Sequence, residues 1–303
     1  MPEATAQSWL ELLDWTLIVI GAVCCVGGAA RLTFRRGWTR FLKQTHVVPN
    51  RFGLLDVLAP FVLAAGVSGL CYELAAGDAA GEGIVGPTTK QDAERPAGPV
   101  LDVGAAAWAN LVGSLGGAAL LLVLGRMRVD GGLRGWGLNG ERGWRVAFRG
   151  AAAFLVAWPI CMGLLVVTRW LVWRVDATYE PPMHQTLELL SRAAHERPVA
   201  AAGLMLGAAL AAPMMEELLF RGVLQTVVAT ASGSAWAGIW LSALTFGAMH
   251  VRTAETVPAM VALGVVLGYV YARWRSLATV IAAHVLFNLK TLVWFSLGAG
   301  GPG

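Results

Sequence analysis

Charge is scarce in this chain: Asp, Glu, Lys and Arg make up only 14% of its 303 residues, against about 25% in ordinary soluble domains. With 56% hydrophobic residues and a mean hydropathy of +0.61, that deficit excludes a soluble globular protein. No HExxH pair is present, so the sequence signature of the helical zinc proteases is missing. The four cysteines, Cys24, Cys25, Cys71 and Cys161, lie in apolar stretches without CxxC-type spacing, which argues for buried, inert thiols rather than a metal site. Internal repeats are absent too, whereas carriers often show repeated halves with broken helices in matching positions. The net charge of +4 and pI near 9.1 come largely from loop arginines, which suit anionic lipid headgroups and support no nucleic-acid inference.

What the chain does have is length without charge. Eight apolar segments, at about 15–32, 54–75, 103–125 and 147–173 and then starting near Val199, Ala235, Val257 and Leu277, are long enough to cross a hydrocarbon core of about 30 Å as helices. The expected fold is an all-α polytopic integral membrane protein with about eight transmembrane helices. The first segment does not read as a cleaved signal peptide, because Glu3, Glu11 and Asp14 precede it where a basic region belongs. Arg35, Arg36, Arg40, Lys43 and Arg51 follow the first span, and Arg126, Arg128, Arg134, Arg142 and Arg145 follow the third. These loops should be cytoplasmic and both termini outward. The loop after the second span is acidic.

Two regions are expected. Residues 1–197 form an N-terminal transmembrane region of about four spans plus an amphipathic interfacial helix, and residues 198–297 form the core that holds the polar residues. The interfacial helix follows Pro181 and Pro182, with Met183, Leu187 and Leu190 at helical spacing. His184 and His195 beside it read as wetted interfacial residues.

The chemistry concentrates in the last third. The stretch "PMMEELLFRG" sets Glu216, Glu217 and Arg221 inside apolar sequence, where ionisable groups are expensive and mark function. Glu217 and Arg221 are four apart and can pair on one face, whereas Glu216 points about 100° away. Pro213 should kink the helix just before them. In a hairpin about the "TASGS" turn, Glu216 stands seventeen residues before Gly233 and His250 seventeen after it, so the two meet at one depth. His284 and Asn288 share a face of the last span, and counting at 1.5 Å per residue puts His284 about 10 Å nearer the cytoplasm than His250. Phe220 and Phe246 are most simply core. Singly, each polar residue is explained by packing or helix–helix hydrogen bonding; jointly, a glutamate, two histidines and an asparagine on three helices point to a site.

The ordered set Glu216-Glu217-x-x-x-Arg221, Phe246-x-x-x-His250 and His284-x-x-x-Asn288 resembles the CAAX-processing and bacteriocin-processing intramembrane protease family, also called the Abi family, which includes the type II CAAX prenyl endopeptidase. The resemblance covers roughly residues 198–297 and takes in "LGYVYARWRSLATVIAAH". It implies hydrolysis of a peptide bond of a membrane-associated protein or peptide, in a cavity open to the cytoplasm, at the plasma membrane. Glu216 would activate a water, His250 hold it, and His284 and Asn288 stabilise the oxyanion, with Glu217, Arg221 and Phe246 in support. The resemblance favours a mechanism without cofactor; zinc held by His250, His284 and Glu216 is the alternative. A non-catalytic scaffold or immunity protein, or a proton-coupled carrier, is the competing class.

Overall fold

A computed structural model describes residues 2–34, 47–53, 55–60, 62–63, 66, 103–180 and 185–297. The protein is a polytopic all-α membrane protein. Among the described residues no strand forms, and the sole extended pairing is an isolated bridge between Asn50 and Val129. The helices are α1 (Pro2–Phe34), α2 (Val103–Arg128), α3 (Gly143–Val175), α4 (Gln185–Glu196), α5 (Pro198–Ser232), α6 (Ala235–Ala248), α7 (Val257–Trp274) and α8 (Leu277–Ser296).

Six of these helices are long and apolar enough to cross a membrane: α1, α2, α3, α5, α7 and α8. The sixth expected span is instead the 14-residue α6, about 21 Å long and too short to cross alone. The expected span at 54–75 lies largely outside the described residues. Many large apolar side chains point outward, among them Val23 and Val26 on α1, Val166, Trp170 and Trp173 on α3 and Leu206 on α5, a surface that suits lipid rather than water.

Local chemistry sets the turns of the core. Gly233 closes α5 with φ +66°, a left-handed position that glycine takes without steric cost, and Ser234 caps α6 by accepting from the Ala237 amide. Arg275 takes the left-handed position between α7 and α8, and Ser276 caps α8 through the Thr279 amide. These tight turns set α5 through α8 side by side, alternating in direction. Arg221 Nη2 reaches the Gly264 carbonyl at 3.4 Å and Gln225 Nε2 the Gly268 carbonyl at 2.9 Å, so the parallel helices α5 and α7 run in register.

The amphipathic helix expected before Pro198 is α4. It does more than rest on a surface: Leu189, Leu190 and Ala193 pack with Ala107 of α2, Ala200 and Leu204 of α5 and Leu292 of α8. Met183 and His184 lie outside the described residues, and for His195 only the backbone is described. Cys24, Cys25 and Cys161 are free thiols; Cys71 also lies outside.

Candidate active site

Helix α5 is not regular. Its turns at Gly207–Ala211 and Leu218–Leu224 are π-helical, with the Ala212 amide bonded to the Gly207 carbonyl and the Gln225 amide to the Phe220 carbonyl, five residues back. The sequence predicts a kink at Pro213, and the structure resolves it as the first of these widened turns. Proline supplies no N–H and its ring crowds the preceding turn, so widening the turn relieves both. Wide turns leave carbonyls without their helical partners, and in an apolar interior these need donors.

Side chains from three other elements donate to carbonyls of these turns. Asn288 Nδ2 donates to the Ala208 carbonyl at 2.9 Å, Ser242 Oγ to the Phe220 carbonyl at 2.8 Å and Trp136 Nε1 to the Gly222 carbonyl at 2.9 Å. Trp136 comes from the loop between α2 and α3, and its fully buried ring packs so closely on α5 that a Cβ on Gly222 would lie 2.5 Å from Cζ2. Only glycine fits there. Tyr271 of α7 then donates its hydroxyl to the Trp136 carbonyl at 3.1 Å.

Between the two π turns lie the glutamates. Glu217 is fully buried, and its Oε1 accepts from Arg221 Nη1 at 2.7 Å and from His284 Nδ1 at 2.7 Å. A carboxylate accepts only, so Nδ1 carries the hydrogen and Nε2 is the free edge of the His284 ring. Oε2 of Glu217 has no hydrogen-bond partner among the described residues. The Arg221 guanidinium, also fully buried, lies over the Phe246 ring at 4.8 Å. Phe246 is therefore core, as the sequence suggests, and also a platform: the rings of His250, Phe220 and His284 lie 5.0, 5.2 and 5.7 Å from it.

Glu216 differs from its neighbour. Its side chain is 26% exposed, and its nearest ionic partner is His284 Nε2 at 3.7 Å, beyond hydrogen-bond length. The His250 ring, just past the end of α6, donates Nδ1–H to the Phe246 carbonyl at 2.9 Å, which leaves Nε2 as an acceptor in the neutral ring. Both glutamates thus face His284, although they stand at adjacent helix positions.

Counting at a uniform rise sets His284 about 10 Å nearer the cytoplasm than His250; in the structure its ring bonds Glu217 of α5 and lies 5.7 Å from the ring of Phe246, one turn before His250. Sequence reading also passed over Lys290, a lysine inside an apolar span and so a visible signal. Its ammonium pairs with Asp14 of α1 at 2.7 Å and lies 3.8 Å from the Trp158 ring centroid. Trp136, Ser242 and Gln225 gave no comparable signal, since each is unremarkable until the π turns create the need for it.

Among the described residues no group of three or more His, Cys, Asp or Glu side chains is set to hold a metal. Two carboxylates, two imidazoles and an amide in a nearly dry interior can instead move a proton from water and stabilise developing negative charge.

Residues 198–290 match a family model described as Type II CAAX prenyl endopeptidase Rce1-like. That segment is similar to this family. No curated protein and no solved structure matches the chain. The matched segment contains Glu216, Glu217, Arg221, Phe246, His250, His284 and Asn288.

Proposed function

We propose that the protein is a glutamate-dependent intramembrane endopeptidase acting on membrane-anchored proteins or peptides without a catalytic metal. The observation that carries this reading is the division of labour between adjacent carboxylates: Glu217 is buried and doubly bonded, while Glu216 is partly open and has no hydrogen-bond partner among the described residues. A carboxylate kept in an apolar site without a structural bond is there for chemistry.

In this mechanism a water lies between Glu216 Oε2 and His250 Nε2. Glu216 takes one proton as the water oxygen attacks the scissile carbonyl carbon, and the carbonyl π electrons move to its oxygen. That oxyanion accepts from the second Nδ2 hydrogen of Asn288, whose first is held by Ala208, and from His284 Nε2 in the doubly protonated ring, braced from behind by Glu217. Glu216 then returns its proton to the leaving nitrogen as the C–N bond breaks. Positioned acid–base catalysis contributes about 10²–10⁴-fold, and each oxyanion donor about 10²–10³-fold.

The test is cleavage of a panel of membrane-tethered peptides by purified wild type and Glu216→Gln, each with and without a strong chelator. Cleavage that persists in chelator and disappears in Glu216→Gln supports the reading. Loss in chelator with rescue by zinc overturns the metal-free mechanism, and failure of folded wild type on every peptide overturns the protease reading.

A further inference from the structure

We infer that Asp14 of α1 and Lys290 of α8 are a positioning pair for the site: by holding α8 against α1 and α3, they set where His284 and Asn288 point. Their effect on catalysis rests on the proposed function.

A lysine inside an apolar span is expensive and needs a partner. The Lys290 ammonium lies 2.7 Å from Asp14 Oδ1 and between two indoles, 3.8 Å from the Trp158 ring centroid and 4.8 Å from that of Trp294, where cation–π attraction adds to the ion pair. A second contact lies one turn further along both helices, where Trp294 Nε1 donates to the Leu10 carbonyl at 3.3 Å. Leu10 and Asp14 are four apart, and so are Lys290 and Trp294. Each pair shares a helix face, so the two contacts fix the register of α1 on α8.

Trp158 connects the pair to the site. Its face carries Lys290, and the ring of Phe287 meets it edge-on at 5.2 Å. Phe287 immediately precedes Asn288. At about 100° per residue, Lys290 projects about 200° around α8 from Asn288, so α1 and α3 grip the face opposite the site. On the site face, His284 Nδ1 bonds Glu217 at 2.7 Å and Asn288 Nδ2 bonds the Ala208 carbonyl at 2.9 Å. Helix α8 is thus held from both sides. Slack on the far side lets it roll about its axis and carries Asn288 with it, and a misplacement of about 1 Å costs about 10²-fold in rate.

Docking of α1 does not depend on this pair. A Cβ on Gly21 would collide with the Leu155 carbonyl oxygen and the Pro159 ring of α3, and Cys25 Sγ donates to the Val156 carbonyl at 3.7 Å. Pro159 has no N–H for the Leu155 carbonyl, and glycine lets α1 settle on that turn. The ion pair therefore acts on α8, from a helix that supplies no residue to the site.

The experiment compares Lys290→Met, Asp14→Asn, the double variant and Lys290→Arg in the full chain, with cleavage kinetics and thermal unfolding measured on each. Both single variants are expected to lower kcat by about 10- to 10²-fold with KM little changed. The double variant should match the singles rather than multiply them, and Lys290→Arg, which keeps the charge and stacks on aromatic faces, should recover most of the rate. Wild-type kcat in Lys290→Met well below its unfolding midpoint, a rise in KM alone, or multiplied losses in the double variant overturns the inference. A second readout needs no cleavage: the ring 15N resonances of His284, which report its bond to Glu217, should shift in Lys290→Met and return in Lys290→Arg. Unchanged resonances overturn the inference whatever the rates. If wild type cleaves no peptide while the resonances shift as expected, the protease reading fails and the positioning of α8 stands.

Discussion

Glu217 Oε1 and His284 Nδ1 lie 2.7 Å apart across 67 residues of sequence, and the same oxygen also accepts from Arg221. One buried oxygen thus locks α5 to α8 and fixes which edge of the His284 ring faces Glu216. Adjacent glutamates with identical chemistry acquire opposite roles because only one of them lies where both donors converge.

Glu216→Gln is expected to lower single-turnover cleavage by about 10²–10⁴-fold while leaving the melting temperature of the detergent-solubilised protein near wild type. The amide keeps the size of the carboxylate and breaks no close bond. A large drop in stability would instead reassign Glu216 to the fold.

Glu217→Ala should behave in the opposite way. It leaves the Arg221 guanidinium buried without its carboxylate, a change that costs about 3–5 kcal/mol, and it frees the His284 ring. The double variant Glu217→Leu with Arg221→Met should regain much of the stability but not the activity, because His284 Nδ1 still lacks its acceptor. Thermal unfolding and cleavage measured on wild type and both variants separate the two effects.

For Asn288→Ala the expected result is a fall in kcat of about 10²-fold or more with KM little changed, the pattern of a donor used mainly in the transition state. Because the Ala208 carbonyl also loses its partner, a stability loss of about 1–3 kcal/mol should accompany it. If KM rises and kcat holds, Asn288 serves ground-state binding instead.

Chelator treatment should leave cleavage unchanged, in keeping with the absence of a three-donor metal cluster among the described residues. Stoichiometric zinc in the purified active protein, lost together with activity, would contradict this.

Gly222→Val is expected to destabilise the core strongly, because its Cβ falls 2.5 Å from the Trp136 ring. Trp136→Phe should be milder, removing the bond to the Gly222 carbonyl at about 1–3 kcal/mol. Equal effects of the two would mean that the ring does not occupy this slot.

Much of the core was legible in the sequence because it obeys short-range rules. The Glu217–Arg221 pair follows from four-residue spacing, and the turn at Gly233 from its small polar neighbours. What was illegible depends on departures from regular helix. The Glu217–His284 bond joins residues 67 apart, and the Asn288 bond meets Ala208 within a π turn, which has no compositional signature beyond a nearby proline. The Trp136 plug depends on glycines far apart in sequence, Gly125 and Gly222, meeting the same indole. Lys290 and Asp14 were readable as charges within or beside apolar spans, but nothing in the sequence pairs α1 with α8.

The π turns also bear on the phase of α5. In a regular helix, one residue added or removed rotates everything beyond it by about 100°. Each π turn behaves as one extra residue absorbed without an added turn, so the helix on either side of it keeps its phase. Deleting a single residue within Leu218–Leu224 would therefore give a smoother helix whose flanks stay aligned, and what it would lose is the widened turn whose carbonyls Ser242 and Trp136 meet.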